Sequence, residues 1–347
     1  MMSRSTSWLV IVGTMCTVSA CADAPEPPIA FGDLAFDTLF TIGSDGGAAH
    51  ESFEGVWDID VDAEGRLAVL DIGAPAVHLY DVEGTYLGSI DSEGLEEGQI
   101  DAPSGIVWSS PGQLLIWDPG SSWISRFRAD ANGFDFVERW RAFAFGETGF
   151  CGRGDRAYLS YYLNDFVVHE VGPDGIEGSF GAAPTIAGAD NLDGELLDIA
   201  VEELTPSALL CTPSGIVDVS FMQSTLRLHD EDGTEVWART IDGVRPITAY
   251  SDDFGLGRAF DVDDGSHLLR ALAGWGRSHV LVQHEVRRQE YPEPGEPEVF
   301  ESRIVSLTDG SEVDRTRDLP LLLAAGAGRL FFVRQTPFPT VTVVALQ

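Results

Sequence analysis

The chain has 347 residues, of which 56 are acidic and 21 are basic, and its formal net charge is −35. Binding to nucleic acid phosphates requires a basic surface, so this charge excludes DNA and RNA as partners. Hydrophobic residues make up 44% of the chain, enough for a sizeable core.

The first residues have the pattern of an export signal. Arg4 gives a short positive start, and residues 8–18 form an apolar run that is too short to remain as a membrane span. Small residues then precede Cys21, and this pattern resembles a bacterial lipoprotein signal over residues 1–20. The resemblance implies cleavage before Cys21, acylation of that cysteine and anchoring to a membrane. A secretory signal that is cut elsewhere is the alternative.

Residues 21–30 are rich in proline and predict a stiff tether between the anchor and the folded domain. Ala22, rather than Asp, follows the cysteine. We therefore expect a lipoprotein of the cell envelope, with the outer membrane favoured. No later segment is long and apolar enough to cross a bilayer.

From residue 31 to residue 347, a unit of short apolar strands and glycine turns recurs. The first turn of each unit falls at Gly65, Gly112, Asp155, Gly215, Gly276 and Gly328. One unit is too small to bury its own apolar face, so neighbouring units must pack together around a channel. The sequence therefore predicts an all-β fold, a six-bladed β-propeller.

The last unit has residues for only three strands and ends in residues 339–346. Residues 36–42, which precede the first blade, have the pattern of a strand. We expect this N-terminal strand to close the last blade, because pairing would cover an otherwise open sheet edge.

The repeat resembles NHL-repeat and related six-bladed propellers, whose unit has a Pro-x-Gly start, a turn glycine and a closing Asp. The matching residues are clearest in the second unit, at residues 103–108, Gly112 and Asp118. The resemblance concerns the fold, because propellers include enzymes, scaffolds and binding modules alike.

Cys151 and Cys211 are the cysteines left after Cys16 in the signal and the lipid-bearing Cys21. Counting back from the turns places both at the same position of the innermost strand, in blades three and four. Equivalent side chains on successive blades point in the same rotational sense. The alignment therefore predicts two buried thiols, although an exported domain would permit a disulfide.

Two acidic motifs raise the question of a metal. The stretch Asp60 to Gly65 matches the start of a calcium loop, but the alternating strand that follows favours a turn between strands. Residues 261–265 lie in an insertion and leave a bound cation open as an alternative. We predict no cofactor, with bound calcium or zinc as the less favoured alternative.

The histidines do not form a metal motif. His78, His169 and His229 fall on the third strands of blades one, three and four, away from the channel. Three further histidines, in blade five, are separated by strand spacing; they are His267, His279 and His284. Zinc ligands would have to converge on one point.

One face of the propeller carries the links between blades, and several links are acidic, including residues 91–97, 190–198 and 252–263. The residues that end the second strands form a predicted rim, which consists of Asp71, Asp118, Ser160, Ser220, His284 and Arg334. With Trp123, Tyr161 and Tyr162 nearby, this rim could hold a polar or cationic ligand. The alternative is that the aspartates cap strands and that the acidic loops are solvated.

Residues 285–299 predict a proline-containing hairpin or flap in blade five. Taken together, the sequence predicts a monomeric, membrane-tethered binding or scaffold protein that recognises a protein, peptide or glycan through its acidic face. A metal-dependent lyase or hydrolase with its site in the channel is the alternative.

Overall fold

The computed structural model describes residues 30–91, 94–144, 149–252, 255–259, 266–286 and 298–346. The predicted signal, Cys21 and nearly all of the tether lie outside the described residues. So do the candidate cation loop at residues 261–265 and most of the predicted flap. No helix in the described part of the chain is both long and apolar enough to span a membrane.

The fold is a six-bladed β-propeller, as the repeat predicts, and each blade is a four-stranded antiparallel sheet. The first strand in the chain is β1 (Phe36–Ile42). Blade one contains β2 (Val56–Val61), β3 (Leu67–Asp71), β4 (Ala76–Tyr80) and β5 (Tyr86–Ile90). Blade two contains β6 (Gly105–Ser110), β7 (Gln113–Asp118), β8 (Trp123–Asp130) and β9 (Gly133–Arg141). Blade three contains β10 (Phe150–Arg153), β11 (Arg156–Leu163), β12 (Phe166–Gly172) and β13 (Gly175–Ala182).

The second half of the ring repeats this order. Blade four contains β14 (Ser207–Thr212), β15 (Gly215–Ser220), β16 (Thr225–His229) and β17 (Glu235–Thr240). Blade five contains β20 (Ser266–Trp275), β21 (His279–Val286), β22 (Phe300–Ser306) and β23 (Glu312–Thr316). Blade six contains β24 (Leu321–Gly326), β25 (Arg329–Arg334), β26 (Thr340–Leu346) and the N-terminal β1.

Additional elements lie in the connections. The hairpin β18 (Thr248–Asp252) and β19 (Gly255–Ala259) links blades four and five, and the helix α1 (Gly194–Leu204) links blades three and four. Within the described ranges, short 3-10 helices occupy Phe31–Asp33, before β1, as well as Ala49–Glu51 and Ala189–Asn191.

The prediction that the N-terminal strand closes the ring is confirmed. Strand β1 pairs antiparallel with β26, from Phe36 opposite Leu346 to Ile42 opposite Val341. The last blade therefore has no open outer edge on β26, where unpaired amides would otherwise invite intermolecular pairing.

The core lies between neighbouring blades. Every residue of β3 is buried, because both faces of a blade are covered by other blades. Between blades one and six, for example, Val69 packs in one apolar cluster with Phe331 and Val341. Burying a side chain of this size stabilises the fold by roughly 1.5–3 kcal/mol.

The turn between β2 and β3 uses the acids of the calcium-like motif as structural groups. Asp62 Oδ1 accepts hydrogen bonds from the amides of Glu64 (3.0 Å) and Arg66 (2.8 Å). Asp62 Oδ2 accepts a further bond from Arg66 Nε at 2.7 Å, and Gly65 has a φ of +83°, which favours glycine. This stretch is a strand turn, as the alternating sequence predicts.

The prediction of two buried thiols is wrong, because Cys151 and Cys211 form a disulfide with a Cα–Cα distance of 5.6 Å. Cys151 lies two residues before Arg153, which pairs with Arg156 at the end of its hairpin. Cys211 lies only one residue before Thr212, which holds the corresponding place opposite Gly215. Relative to the ends of their hairpins, the two cysteines are therefore offset by one residue. Because an offset of one residue turns a strand side chain to the other face, the two cysteines face each other.

Candidate functional site

The innermost strands of all six blades surround a central channel. We call the face that carries the links between blades the top face. At that end the channel widens into a cavity of about 550 Å³, here named the upper chamber. A second cavity of about 280 Å³, the lower chamber, continues toward the opposite end. Five residues contact both chambers; they are Asp58, Phe150, Leu209, Leu272 and Leu323.

Aromatic and aliphatic side chains dominate the upper chamber. Trp57 is 48% exposed, and its Nε1 donates to the carbonyl of Ser104 at 3.1 Å, which fixes the indole at the start of β2. Phe221, Leu269 and Leu321 line the chamber from blades four, five and six. An accessible indole beside an apolar wall can take up apolar or ring-shaped groups.

Among the residues that the structure describes, three charged ones also contact the upper chamber, namely Asp58, Arg270 and Glu298. Arg270 Nε lies 3.1 Å from Glu285 Oε2, so this guanidinium already has an anionic partner. Glu298 is exposed at the point where the chain enters β22. Asp58 lies deeper, where the two chambers adjoin.

Asp58 and Asp60 join blade one to blade two beside the channel. One oxygen of each carboxylate accepts the next amide of its own strand, from Ile59 at 2.9 Å and Val61 at 2.8 Å. The other oxygen of each carboxylate accepts an amide of blade two. Ile106 N donates to Asp58 Oδ2 at 2.9 Å, and Trp108 N donates to Asp60 Oδ2 at 2.6 Å. An innermost strand has a free edge, and these carboxylates satisfy two amides of the free edge of β6.

Burial raises the pKa of both carboxyl groups despite these hydrogen bonds. Desolvation raises the pKa of Asp58 to about 6, and two backbone amides only partly oppose it. Desolvation likewise raises the pKa of Asp60 to about 7, with smaller contributions from the charges of Asp58 and Asp62. Among the described residues, neither carboxylate has an ion-pair partner, so their negative charge is poorly compensated.

Helix α1 and the β18–β19 hairpin form an added unit on the top face. Ala200 and Leu204 of the helix pack in one buried cluster with Ile247 and Ala249, and Met222 and Leu268 pack against it. These last two residues directly neighbour Phe221 and Leu269, which line the upper chamber. The added unit therefore lies beside the chamber at blades four and five.

The exposed side of α1 is acidic. Glu195, Asp198 and Glu202 are all exposed, and Glu203 pairs with Arg258 of β19. The acidic link that the sequence predicts between blades three and four is thus a helix with solvated carboxylates next to the upper chamber.

The rim aspartates bind backbone amides. Asp71 is 1% exposed, and its oxygens accept hydrogen bonds from the amides of Glu54 and Gly55, both at 2.8 Å. Asp118 is equally buried and bonds the amides of Asp101 and Ala102 at 2.7 and 3.1 Å. Each aspartate fixes the segment that leads into the innermost strand of its own blade.

The rim serines also accept backbone amides, but from other segments: Ser160 from the start of the next blade, and Ser220 from the residues after its own strand. Ser160 Oγ accepts the amide of Ser207 at 2.9 Å, and Ser220 Oγ accepts the amides of Met222 at 3.3 Å and Gln223 at 3.0 Å. Both serines are buried, so their hydroxyl groups do not face solvent.

The last two rim residues differ from the others. His284 is 1% exposed, and desolvation, reinforced by the charge of Arg303, lowers its pKa to about 3. This imidazole is therefore neutral. Arg334 is exposed at the end of β25. Five of the six rim side chains are therefore buried, and Arg334 is exposed.

The aromatic residues near the rim have other partners. The guanidinium carbons of Arg139 and Arg141 each lie 4.5 Å from the centre of the Trp123 ring, so this indole already has two cationic partners. Tyr161 is 9% exposed and lies 4.2 Å from the ring of His169. The hydroxyl of Tyr162 donates to Asp165 Oδ1 at 3.0 Å.

His78, His169 and His229 lie on the third strands β4, β12 and β16, as predicted. Within the described ranges, no group of three or more His, Cys, Asp or Glu side chains is placed to hold a metal ion.

Trp57 was not predicted from the sequence, and neither was the part that Asp58 and Asp60 play in the channel. The sequence did contain a signal for these aspartates. Of the six innermost strands, as the structure describes them, β2 alone contains acidic residues. Polar residues on a strand that should pack against apolar neighbours indicate a special environment.

Comparisons with known proteins identify the fold. No protein-family model matches the sequence, and neither does any curated protein. Among solved structures, a Bacteroides fragilis protein that is described as exported matches with a TM-score of 0.58 and 10% identity, over 90% of this chain and 95% of that one. A member of the duf4221 family from Bacteroides vulgatus also gives a TM-score of 0.58, with 8% identity, over 91% of this chain and 98% of that one. At such low identity, the likeness shows a shared propeller fold and nothing finer.

Proposed function

We propose that this protein is an exported binding protein whose upper chamber takes up part of a protein, peptide or glycan ligand. The chamber itself carries the proposal, because a cavity of about 550 Å³ opens on the top face beside the half-exposed Trp57. Apolar cavities with a few polar groups are the usual form of a ligand site.

The acidic surface of α1 supports a ligand that extends beyond the chamber. Its exposed carboxylates lie beside the chamber and would favour cationic or hydroxyl-rich groups over anionic ones. We propose that the ligand enters the chamber with one part and contacts this acidic surface with another.

An extracytoplasmic location is supported by two independent observations. The disulfide between Cys151 and Cys211 is of a kind that persists in oxidising compartments and is rare in the cytosol. One of the structural neighbours is described as exported. We further propose that Cys21 carries the lipid anchor and that residues 21–30 tether a monomeric propeller to the outer membrane.

Binding is favoured over the metal-dependent lyase or hydrolase. Such an enzyme would require converging metal ligands in the channel, and the described residues supply no such set. The polar groups at the ends of the second strands instead hold backbone amides.

Substituting Trp57 tests the proposed site. Peptide and glycan arrays would first identify ligands, whose affinities would then be measured by titration calorimetry. We expect Trp57→Ala to weaken binding about tenfold or more, because a central aromatic contact commonly contributes at least this much.

Phe143→Ala is the matched control, since Phe143 is 63% exposed and does not line the upper chamber. It should leave the affinity unchanged. Ligands that bind equally well to wild-type protein and to Trp57→Ala would show that the upper chamber is not the site.

A further inference from the structure

The upper chamber has a charge at its inner end that the protein itself does not neutralise. Asp58 lies where the two chambers adjoin, between apolar side chains that include Leu209 and Leu323. Its two hydrogen bonds come from uncharged backbone amides, those of Ile59 and Ile106. Each carboxylate oxygen has a second lone pair and can accept one more donor.

The positive groups of the channel do not offset this charge. Arg270, the cationic residue of the upper chamber among the described residues, is paired with Glu285. Arg277 and His279 line the lower chamber and do not contact the upper one. A carboxylate in such surroundings favours a cationic visitor, because an opposite charge within a few ångströms restores its ionised form.

We propose that the upper chamber binds the basic end of an apolar chain, with an amine or guanidinium of the ligand ion-paired to Asp58. This inference rests on the proposed function and narrows it to ligands with a cationic tip, such as an extended lysine or arginine side chain. The apolar part of the ligand contacts Leu269, Leu321 and Phe221, and Trp57 at the entrance adds an aromatic surface that also attracts cations.

The groups that face Asp58 set the expected pH dependence. Asp60 lies in the same strand, β2, and Asp62 lies in the turn that follows this strand; both are acidic. The neighbouring strand β6 presents Ile106 and Trp108, and β24 presents Leu321 and Leu323, none of which titrates. Arg270 and Glu298 are the charged groups at the entrance. The pKa of Asp58 is about 6, so this carboxylate is ionised at pH 8 and mostly protonated at pH 5.

Hexylamine and hexan-1-ol form a matched pair of probes, since they differ mainly in the charge of the head group. Binding to the full protein would be followed by ligand-observed NMR between pH 5 and pH 8. We expect hexylamine to bind at pH 8 at least tenfold more tightly than hexan-1-ol. We also expect this advantage to fall as the pH drops through about 6, while the amine itself stays charged.

Asp58→Asn should reduce hexylamine binding to the level of hexan-1-ol, because Asn has nearly the same shape and keeps one acceptor oxygen but removes the charge. Asp174→Asn is the control, as it removes one acidic charge from an exposed turn, between β12 and β13, that does not line the upper chamber. It should have little effect. The pH series with wild-type protein needs no variant, and it therefore tests the inference even if Asp58→Asn is unstable.

Three results would overturn the inference: equal affinity for the two probes, no detectable hexylamine binding at millimolar concentration, or equal losses in Asp58→Asn and Asp174→Asn. Equal binding of both probes that is lost in Trp57→Ala would overturn the charge recognition alone. The proposed function of the upper chamber would survive that result.

Discussion

Blades one and two meet at the channel differently from blades three and four. Between the first pair, Asp58 and Asp60 of β2 accept hydrogen bonds from the free edge of β6. Between the second pair, the disulfide from Cys151 to Cys211 connects β10 to β14. The same junction of innermost strands is thus held by titratable groups on one side of the ring and by a covalent bond on the other.

The two regions also differ at the ends of their second strands. Blades one and two place Asp71 and Asp118 there, and blades three and four place Ser160 and Ser220. Both residue types accept amides of the segments around the top face, but an aspartate accepts more of them. The first pair of blades therefore depends on buried carboxylates, and the second pair depends on the disulfide and on hydroxyl groups.

The largest expected effect in this comparison is loss of the disulfide. The double variant Cys151→Ala, Cys211→Ala should lower the free energy of unfolding by about 4 kcal/mol, as expected for a cross-link that closes a loop of 60 residues. Urea unfolding with and without reductant would measure the change. Reductant should have no effect on the variant, and two titratable thiols in unreduced, denatured protein would contradict the disulfide.

The next effect concerns the strand ends. Asp71→Ala should cost about 3 kcal/mol, because it removes the charged acceptor of three amides, those of Glu54, Gly55 and Gly73. Ser160→Ala removes the acceptor of one amide, that of Ser207, and should cost about 1 kcal/mol. Thermal and urea unfolding would compare the two variants. Equal costs would show that blades one and two do not depend more strongly on their caps.

A further effect is expected in the pH dependence of stability. The folded-state pKa values of Asp58 and Asp60 are raised to about 6 and about 7, so the folded protein holds these protons more tightly than the unfolded chain. Their contribution to stability is fully present below pH 4 and is lost as the pH rises through the folded-state values. Relative to the variant Asp58→Asn, Asp60→Asn, wild-type protein should therefore lose stability between pH 4 and pH 8.

Urea unfolding at a series of pH values, with both proteins in the same buffers, would measure this difference. It isolates the two aspartates from other titrating groups, such as His284, whose lowered pKa acts in the opposite sense. Parallel pH profiles for the two proteins would contradict the account of these carboxylates.

The sequence was sufficient to predict the blades and the closure by β1, because both depend on the spacing of apolar segments and turns. The disulfide depends on a one-residue difference in register between β10 and β14, which turn counting did not resolve. Asp60 was interpreted as part of a turn motif, whereas its carboxylate bonds an amide of a strand 48 residues away. Such contacts depend on how blades pack, which local sequence does not encode.

The rim shows the same distinction between location and contact. Asp71, Asp118, Ser220 and Arg334 do end their second strands, so their locations followed from the repeat. The orientation of the rim side chains did not follow from the repeat. Five of the six are buried, and four of these accept hydrogen bonds from backbone amides.

The most direct test of the central claim is a crystal structure of the protein with the tightest ligand from the peptide and glycan arrays. The account predicts ligand density in the upper chamber, between Trp57 and Phe221, with a basic group directed toward Asp58. A ligand bound elsewhere on the propeller, with the upper chamber unchanged, would contradict it.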